Sequence, residues 1–301
     1  MKLFGRNKYT APSNESSVAV VLLSPAAAYL LAVMLMPFMW AFYISMTKSG
    51  ADGTTVFAGF EKYLLVLKDA NFYNSVYNTL VFTFFAVLGK VVLGIIMALV
   101  LNGPIRLRNV HRSLLIIPWA LPTVISILTW KWLYSDVGGA LNHLLKISGL
   151  IQTDVKWLAS AQFALMSVII VNIWRGTPFI GVSVLSGLQT VPHDLYEAAT
   201  IDGANALKRF IYVTLPHIKS VIGLSAFVTT IWTINDFEIV WLLTRGGPAF
   251  VTEIISTYSY RVGFLNMDIA RATAVSFLFL PLMILLVNIV TKYTLPKEAE
   301  E

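Results

Sequence analysis

Six runs of apolar residues, each about twenty residues or longer, constrain the fold of this chain more than any other feature. A run of roughly 20 apolar residues can cross the hydrocarbon core of a bilayer as a helix. Within the bilayer every backbone amide and carbonyl needs a partner, and the sequence has no strand pattern that would close a barrel. The sequence therefore predicts an all-α membrane protein with six transmembrane helices. The predicted spans are residues 18–46, 78–101, 113–132, 163–188, 218–243 and 272–293.

The composition agrees with this prediction and excludes several classes of function. Charged residues make up 13% of the chain and hydrophobic residues 57%, whereas a soluble domain has about 25% charged residues. The basic residues form no clustered patch, which argues against a nucleic-acid partner. The chain has no cysteine, its histidines lack metal-site spacing, and it has no phosphate-binding Gly-x-x-x-x-Gly-Lys-Ser/Thr loop. We therefore expect a non-enzymatic chain with no catalytic residue, no metal and no cofactor of its own.

Lysine and arginine in the short connections predict the orientation of the spans, because cytoplasmic loops carry an excess of these residues. Arg106, Arg108 and Arg112 lie close together between the second and third predicted spans. That side is expected to be the cytoplasm, with both chain termini on it. The expected segments are cytoplasmic tails at residues 1–17 and 294–301, a transmembrane domain at residues 18–293, and a cytoplasmic loop at residues 190–217.

The loop between the fourth and fifth predicted spans has helix signals without the hydrophobicity of a span. Pro192 suits the first turn of a helix, and residues 193–200 are good helix formers. Asp202-Gly203 indicates a turn, because glycine accepts a positive φ without steric cost. A second short helix fits residues 204–214. The sequence thus predicts a helix-turn-helix at the membrane surface, which physics alone leaves open as a hairpin without a partner.

The residue pattern of this loop resembles a known motif. The EAA loop of ABC importer permeases is similar to this pattern, which consists of Glu197-Ala198-Ala199, Gly203, Val213 and Leu215-Pro216. Val213 stands where that family usually has isoleucine. Four further motifs resemble the carbohydrate-uptake subgroup, which includes the maltose and glycerol-phosphate permeases. They are Gly59–Tyr63 with Asn78–Leu80, Pro118–Pro122, Trp174–Phe179, and Leu243–Pro248, where Arg245 replaces a frequent glycine.

This resemblance implies the type I ABC importer permease fold, with an N-terminal helix wrapping a five-helix core, in the inner (plasma) membrane of a bacterium. It implies a second homologous permease, two ATPase subunits that bind ATP and Mg, an extracytoplasmic solute-binding protein, a sugar substrate and surrounding lipid. It also implies that the loop docks into the ATPase through Glu197, Ala198, Ala199, Asp202 and Gly203. The alternatives are an ion-coupled secondary transporter and a channel subunit.

Polar residues inside the predicted spans are the candidates for a substrate pathway, because a charge at the bilayer centre costs about 2.5–3.5 kcal/mol on insertion scales. Lys90 lies too deep in the second span to reach an interface, so we expect it to face the bundle interior or a partner subunit. In the fourth and fifth spans, amides, carboxylates and indoles could serve sugar hydroxyls and the apolar sugar face. The predicted pathway residues are Lys90, Asn172, Trp174, Arg175, Trp232, Asn235, Asp236 and Glu238.

Helical spacing groups the pathway residues of the fifth span, since side chains three or four positions apart share a face. Asn235 with Glu238, and Trp232 with Asp236, would each form a stripe on one continuous helix. The alternative is that Arg175 forms a structural ion pair with Asp236 or Glu238, and both interpretations can hold together. Whether the sugar is neutral or anionic, and whether the two permeases are identical, stays open at this stage.

Overall fold

The computed structural model describes residues 13–50, 54–104 and 106–294, and these residues form a bundle of helices. Residues 1–12 and 295–301 of the two predicted tails lie outside the described residues. In chain order the elements are α1 (Ser13–Ser45), β1 (Thr47–Ser49), β2 (Thr55–Phe57), α2 (Glu61–Leu67), α3 (Ala70–Asn102), α4 (Arg108–Ala120), α5 (Thr123–Leu133), α6 (Ala140–Ile147), α7 (Ala164–Leu188), α8 (His193–Ile201), α9 (Ala206–Arg209), a π-helical turn (Phe210–Thr214), α10 (Leu215–Ile234), α11 (Phe237–Thr244), α12 (Ile255–Tyr260), a second π-helical turn (Arg261–Leu265) and α13 (Ile269–Thr294).

The helices confirm the predicted fold class. Among the described residues, five helices are long and apolar enough to cross a membrane, and a bent pair makes a sixth span when it is counted as one. The straight spans are Val20–Ser45, Ala70–Asn102, Ala164–Leu188, Ala206–Ile234 and Ile269–Lys292. The sequence did not predict the small antiparallel hairpin β1–β2, in which Thr47 pairs with Phe57 and Ser49 with Thr55.

The third span differs from the single helix predicted over residues 113–132. It is broken into α4 and α5, whose axes meet at 91°. Pro122 explains the break, because proline lacks a backbone N–H and drives the preceding residue out of the helical region. Leu121 accordingly has an extended ψ of 141°. Pro118, in contrast, is accommodated inside α4.

The fifth span also differs from the continuous helix predicted over residues 218–243. It ends as α10 at Ile234 and resumes as α11 at Phe237. Asp236 has extended backbone angles, and its carboxylate accepts a hydrogen bond from the Ile239 amide at 3.2 Å, which caps α11. Aspartate favours such caps because its side chain competes for backbone N–H groups. The predicted stripe on one continuous helix is therefore wrong, and its residues lie at a helix break.

Helices α3 and α7 pack together more extensively than any other pair of described helices, and glycines on both sides bring them together. A Cβ atom on Gly94 of α3 would lie 2.7 Å from the Ile180 side chain of α7. A Cβ atom on Gly181 of α7 would lie 2.6 Å from Cε of Met97 on α3. Small residues permit close backbone approach within membranes, where packing rather than the hydrophobic effect holds helices together.

Helices α3 and α7 run in the same direction, because their glycine contacts advance together along both chains. Their C-terminal ends therefore lie on one side of the bundle. A cavity of about 360 Å³ on that side is lined by residues including Asn102, Leu188 and Tyr196 of α8. The arginine-containing connection after α3 and the loop after α7 thus lie on the same side of the bundle, as the sequence predicted.

The N-terminal helix α1 packs on the bundle through aromatic contacts with α13. The rings of Phe38 and Phe42 meet the ring of Phe277 edge-on, with centroid distances of 5.1 and 5.2 Å. Most of the larger apolar side chains along α1 are exposed in the isolated chain. Helix α1 is thus the most peripheral of the long helices that the structure describes.

The segment between α11 and α12 is fastened to the N-terminal half of α3. The Asn78 side-chain amide donates to the carbonyls of Phe250 and Glu253, each at 3.1 Å, and the Ile255 amide donates to the Thr79 hydroxyl at 2.9 Å. Asn78 and Thr79 belong to a motif that carried the resemblance, so here they have a structural role. Glu253, 1% exposed, accepts two hydrogen bonds from Arg261, and these bonds raise the pKa of that guanidinium.

We expect Gly94→Val to destabilise the bundle by about 1–3 kcal/mol, because the added atoms overlap Ile180 and force α3 away from α7. The measurement is thermal unfolding of the purified protein in detergent. Leu93→Val is the matched control, because Leu93 is the adjacent residue of α3 and its side chain is 47% exposed. Equal unfolding temperatures for both variants would show that the glycine contact does not hold the two helices together.

Candidate functional site

A cavity of about 630 Å³ opens between α3, α4, α5, α7, α10 and α11, where the fifth span is broken. All of the predicted pathway residues except Trp174 line this cavity. Since these residues come from three different spans, the sequence could not show that they meet. The lining residues are Lys90, Trp119, Thr123, Asn172, Arg175, Gly176, Phe179, Thr229, Trp232, Thr233, Asn235, Asp236, Phe237, Glu238 and Ile239.

Lys90 reaches the cavity from α3 by crossing α7 at a glycine. Its side chain is only 3% exposed, and its ammonium donates to the Thr233 hydroxyl of α10 at 2.8 Å. A Cβ atom on Gly176 would lie 2.6 Å from Cε of Lys90, so any larger residue there would block the path. The expectation that Lys90 faces the bundle interior agrees with this placement. Gly176 was not predicted, although it belongs to the Trp174–Phe179 motif.

Asp236, at the break in the fifth span, connects α11 and α7 through hydrogen bonds to its carboxylate. One carboxylate oxygen caps α11, and the other accepts a hydrogen bond from the Asn172 side-chain amide of α7 at 2.7 Å. Both oxygens are therefore used by neutral donors. The carbonyl oxygen of the same Asn172 side chain is buried without a hydrogen-bond partner.

Arg175 does not form the ion pair that the sequence left open. The ion pairs within 4 Å among the described residues do not join it to Asp236 or Glu238. Its guanidinium instead donates to the Thr123 hydroxyl at the start of α5, and its Nε is buried without a partner. The structural ion pair is thus the wrong alternative, although Arg175 lines the cavity.

Aromatic rings form one wall of the cavity. Trp232 is half-exposed, and its ring lies 4.8 Å from the ring of Phe179. Trp119 and Phe237 also line the space, and neither they nor Phe179 were predicted. Trp119 and Phe179 lie within motifs that the sequence analysis singled out, which was the only signal for them. Flat apolar rings beside amides and charged groups suit a solute with both polar and apolar faces.

The structure places Trp174, Asn235 and Glu238 differently with respect to the cavity. The Trp174 ring packs edge-on against Trp130 at 5.5 Å and does not line the cavity. Its placement in the pathway is therefore wrong in this structure. The Asn235 amide donates to the Ile231 carbonyl of its own helix at 2.9 Å, and its side chain is exposed. Glu238 is likewise exposed where it lines the cavity.

The loop after α7 folds as a helix-turn-helix, as predicted. Helix α8 ends in a hydrogen-bond pattern that requires a left-handed residue: the Ala204 amide donates to the Ala199 carbonyl and the Gly203 amide to the Thr200 carbonyl. Gly203 supplies the left-handed backbone with a φ of +75°. Asn205 then caps α9 by accepting from the Lys208 amide at 2.9 Å.

Side-chain hydrogen bonds connect this loop to the segment before α10 and join its two arms. The Tyr196 hydroxyl of α8 lies 3.0 Å from the hydroxyl of Thr214, the residue immediately before α10. Arg209 donates to the Thr200 hydroxyl at 3.1 Å, which joins the two arms of the hairpin. A flexible tether would have no need of such contacts.

The outer face of the same loop is open to a partner. Glu197, Ala198, Asp202 and Gly203 are exposed, and Ala199 is half-buried. Large apolar side chains stand beside them; they are Ile201 (87% exposed), Leu207 and Tyr212. Exposed apolar side chains grouped on a loop mark an interaction surface.

Comparison with known proteins identifies relatives of this chain. The family described as binding-protein-dependent transport system inner membrane component matches residues 90–295. A probable ABC transporter permease protein of Sinorhizobium fredii is 39% identical over 268 residues, which cover 87% of this chain and 85% of that protein. The trehalose/maltose transport system permease protein MalF of Thermococcus litoralis is 35% identical over 268 residues, covering 88% and 89% of the two chains.

A solved structure shares the fold. A chain from a bacterial ABC transporter involved in the import of the acidic polysaccharide alginate superimposes with a TM-score of 0.78. The alignment covers 96% of this chain and 98% of that chain, at 20% sequence identity. At this identity the likeness concerns the fold alone.

We expect Asp236→Ala to lower the stability of the bundle by about 0.5–2 kcal/mol, because it removes the cap of α11. Asp236→Asn should cost less, since asparagine caps helices as well as aspartate does and can still bond to Asn172. Thermal unfolding followed by circular dichroism compares the two variants. If both melt at the same reduced temperature, the negative charge rather than the cap stabilises the break.

Proposed function

The chain belongs to the family of binding-protein-dependent transport system inner membrane components, and from this membership we propose how it works as a permease subunit of an ATP-driven sugar importer. It is a non-catalytic, multi-pass membrane component. It forms one half of the translocation pathway, and a second homologous permease supplies the other half. Family membership favours this function over an ion-coupled secondary transporter or a channel subunit.

The 630 Å³ cavity is the observation that supports the proposed pathway. It is lined by groups that suit a sugar: the polar side chains of Asn172, Lys90 and Arg175, and the indole of Trp232. Hydroxyls need donors and acceptors, and the apolar face of a pyranose needs a flat ring. A relative at 35% identity is named for trehalose and maltose transport, which agrees with a sugar as the substrate class.

The surface loop is the proposed contact with the motor. Two ATPase subunits bind ATP and Mg, and one of them receives the exposed face formed by Glu197, Ala198, Ala199, Asp202 and Gly203. The apolar side chains of Ile201 and Leu207 would be buried by that contact, which removes them from water. The loop then lies in the cytoplasm of the bacterial cell, together with both chain termini, and an extracytoplasmic solute-binding protein delivers the sugar to the opposite side of the inner membrane.

Closure of the ATPase pair is expected to change the access of the cavity from one side of the membrane to the other. The loop can transmit that motion only if it is rigid, which its capped turn and its hydrogen bonds to Thr214 and Thr200 support. The ATPase contacts the loop differently when the cavity is open to one side of the membrane and when it is open to the other. ATP hydrolysis by the partner can therefore shift the balance between these two conformations without any reaction in this chain.

Substituting Asn172 tests the pathway. We expect Asn172→Ala to reduce sugar uptake by the complete transporter about tenfold or more, since it removes a polar group of the cavity lining and the hydrogen bond to Asp236. The amount of ATPase that co-purifies with the permease should stay unchanged. Asn266→Ala is the matched control, because Asn266 is exposed and outside the cavity. Normal uptake by Asn172→Ala would make the cavity a structural feature rather than a pathway.

Substituting Gly203 tests the coupling loop. A Cβ atom at Gly203 would meet nothing within 4 Å, so Gly203→Val adds strain without a clash inside the chain. We expect transport-coupled ATP hydrolysis to fall about tenfold or more while the protein remains in the membrane. Gly149→Val is the control, because Gly149 has a φ of +72° and equally open surroundings but lies between α6 and α7. Equal ATPase activity in the two variants would contradict the proposed coupling.

A further inference from the structure

We propose that a second sugar-binding site adjoins the cavity, formed by an aromatic strip that consists of Phe237, Tyr260 and Phe264. The strip binds further rings of a solute whose first ring lies in the cavity, so the solute is a linear oligosaccharide. This inference rests on the proposed function, because it extends the same pathway and names the class of sugar that uses the extension.

The rings of the aromatic strip form one connected series, although they come from two separate segments. Tyr260, at the end of α12, lies 5.0 Å from the Phe237 ring at the start of α11. Phe264, in the second π-helical turn, stacks on Tyr260 with a centroid distance of 5.0 Å. Trp241 packs against Phe237 at 5.5 Å and against Tyr260 at 4.8 Å, and thereby supports both rings. Phe264 is 61% exposed, and the other two rings of the strip are partly exposed.

A groove of about 410 Å³ runs along the aromatic strip and adjoins the cavity. Its lining includes all three rings of the strip. Phe237 lines both the groove and the 630 Å³ cavity, so the two spaces meet at this ring. A solute that extends beyond the cavity past Phe237 would therefore contact Tyr260 and then Phe264.

The far end of the groove lies at the end of the bundle opposite to the surface loop. The C-terminal end of α3 lies beside that loop, so Asp69, which caps the N-terminus of α3, lies at the opposite end. Its carboxylate accepts a hydrogen bond from Arg271 in the first turn of α13 at 2.6 Å. Ile269 of the same turn lines the groove together with Phe264. The groove thus leads from the cavity toward the side on which the binding protein would deliver the sugar.

The lining of the groove suits a sugar better than a lipid chain. Another groove, of about 310 Å³ between α3, α10 and α13, is lined by aliphatic side chains and Phe84, with Thr83 and Thr230 as the polar exceptions among the described residues. In the groove along the strip, by contrast, four of the nine lining residues carry a serine or threonine hydroxyl; they are Ser256, Ser259, Thr273 and Ser276. Hydroxyls beside flat rings match a solute with its own hydroxyls and apolar ring faces.

The two adjoining spaces together set the length of the solute. A monosaccharide in the cavity would not reach Phe264, and the strip would then serve no purpose in its transport. In a linear oligosaccharide, successive pyranose rings can place their apolar C–H faces on Tyr260 and Phe264. Removing these faces from water favours the longer sugar.

The experiment measures uptake by the complete transporter, with its binding protein, in cells that have no other route for the probes. The probes are the radiolabelled disaccharide and tetrasaccharide of the malto-, cello- and xylo-oligosaccharide series. We expect the tetrasaccharide of at least one series to enter at least as fast as its disaccharide. Tyr260→Leu and Phe264→Leu should each lower uptake of that tetrasaccharide about fivefold or more, because they remove a flat ring, and should leave disaccharide uptake within about twofold.

Two matched variants control for the loss of the rings. Tyr260→Phe retains the ring and should transport both lengths as the unmodified protein does. Phe84→Leu removes a ring that is 61% exposed but belongs to the other groove, and it should likewise change neither rate. The ratio of tetrasaccharide to disaccharide uptake within each variant corrects for differences in the amount of folded transporter.

Each outcome separates the inference from the function beneath it. Uptake of disaccharides without tetrasaccharides overturns the inference and leaves the sugar importer standing. The same holds if both leucine variants transport normally, or if they lose both lengths equally, since the strip is then only structural. Saturable uptake of no probe counts against the sugar importer and, with it, the inference. A loss confined to the tetrasaccharide and absent from both control variants supports the second site.

Discussion

The close approach of α3 to α7 is the contact on which the rest of the structure depends. Gly94 and Gly181 let the two backbones meet, and Gly176 leaves the gap through which Lys90 passes to the far side of α7. A larger residue at position 176 would displace the lysine from its bond to Thr233. The same packing that holds the bundle together thus also delivers a charge to the cavity. Stability and site are not separable at this helix pair.

Two interrupted spans create the space that this charge enters. Pro122 bends the third span, so Thr123 at the start of α5 faces Arg175. The fifth span consists of two helices, α10 and α11, which are separated at Asp236. The Asp236 carboxylate caps α11 and accepts a hydrogen bond from Asn172 of α7. Irregular backbone at membrane depth is tolerated where it lines a cavity within the protein. The helix breaks and the polar groups therefore stabilise each other, and neither would persist in a lipid-facing position.

Sequence periodicity and length were sufficient for the number of spans, their approximate bounds and the surface helix-turn-helix, because these follow from local composition. They did not predict the two helix breaks. At Asp236 a helix cap interrupts an apolar run that would otherwise continue as one helix. At Leu121 the following proline ends the helix in the same way. Trp174 was misplaced because spacing shows which face a side chain occupies but not what packs on that face. Gly176 and Phe179 became meaningful only when α3 and α10 were known to pass beside α7, which depends on tertiary packing.

Helix α10 joins the two sites that the proposed mechanism requires. It spans 20 residues, or about 30 Å at 1.5 Å per residue. Where it begins, Thr214 is bonded to Tyr196 of the surface loop, and where it ends, Thr233 is bonded to Lys90 beside the cavity. A displacement of α8 by a partner would therefore move α10, whose C-terminal end forms part of the cavity wall. Because a cap and a break follow at Asp236 rather than further helix, that motion would change the shape of the cavity instead of passing to α11.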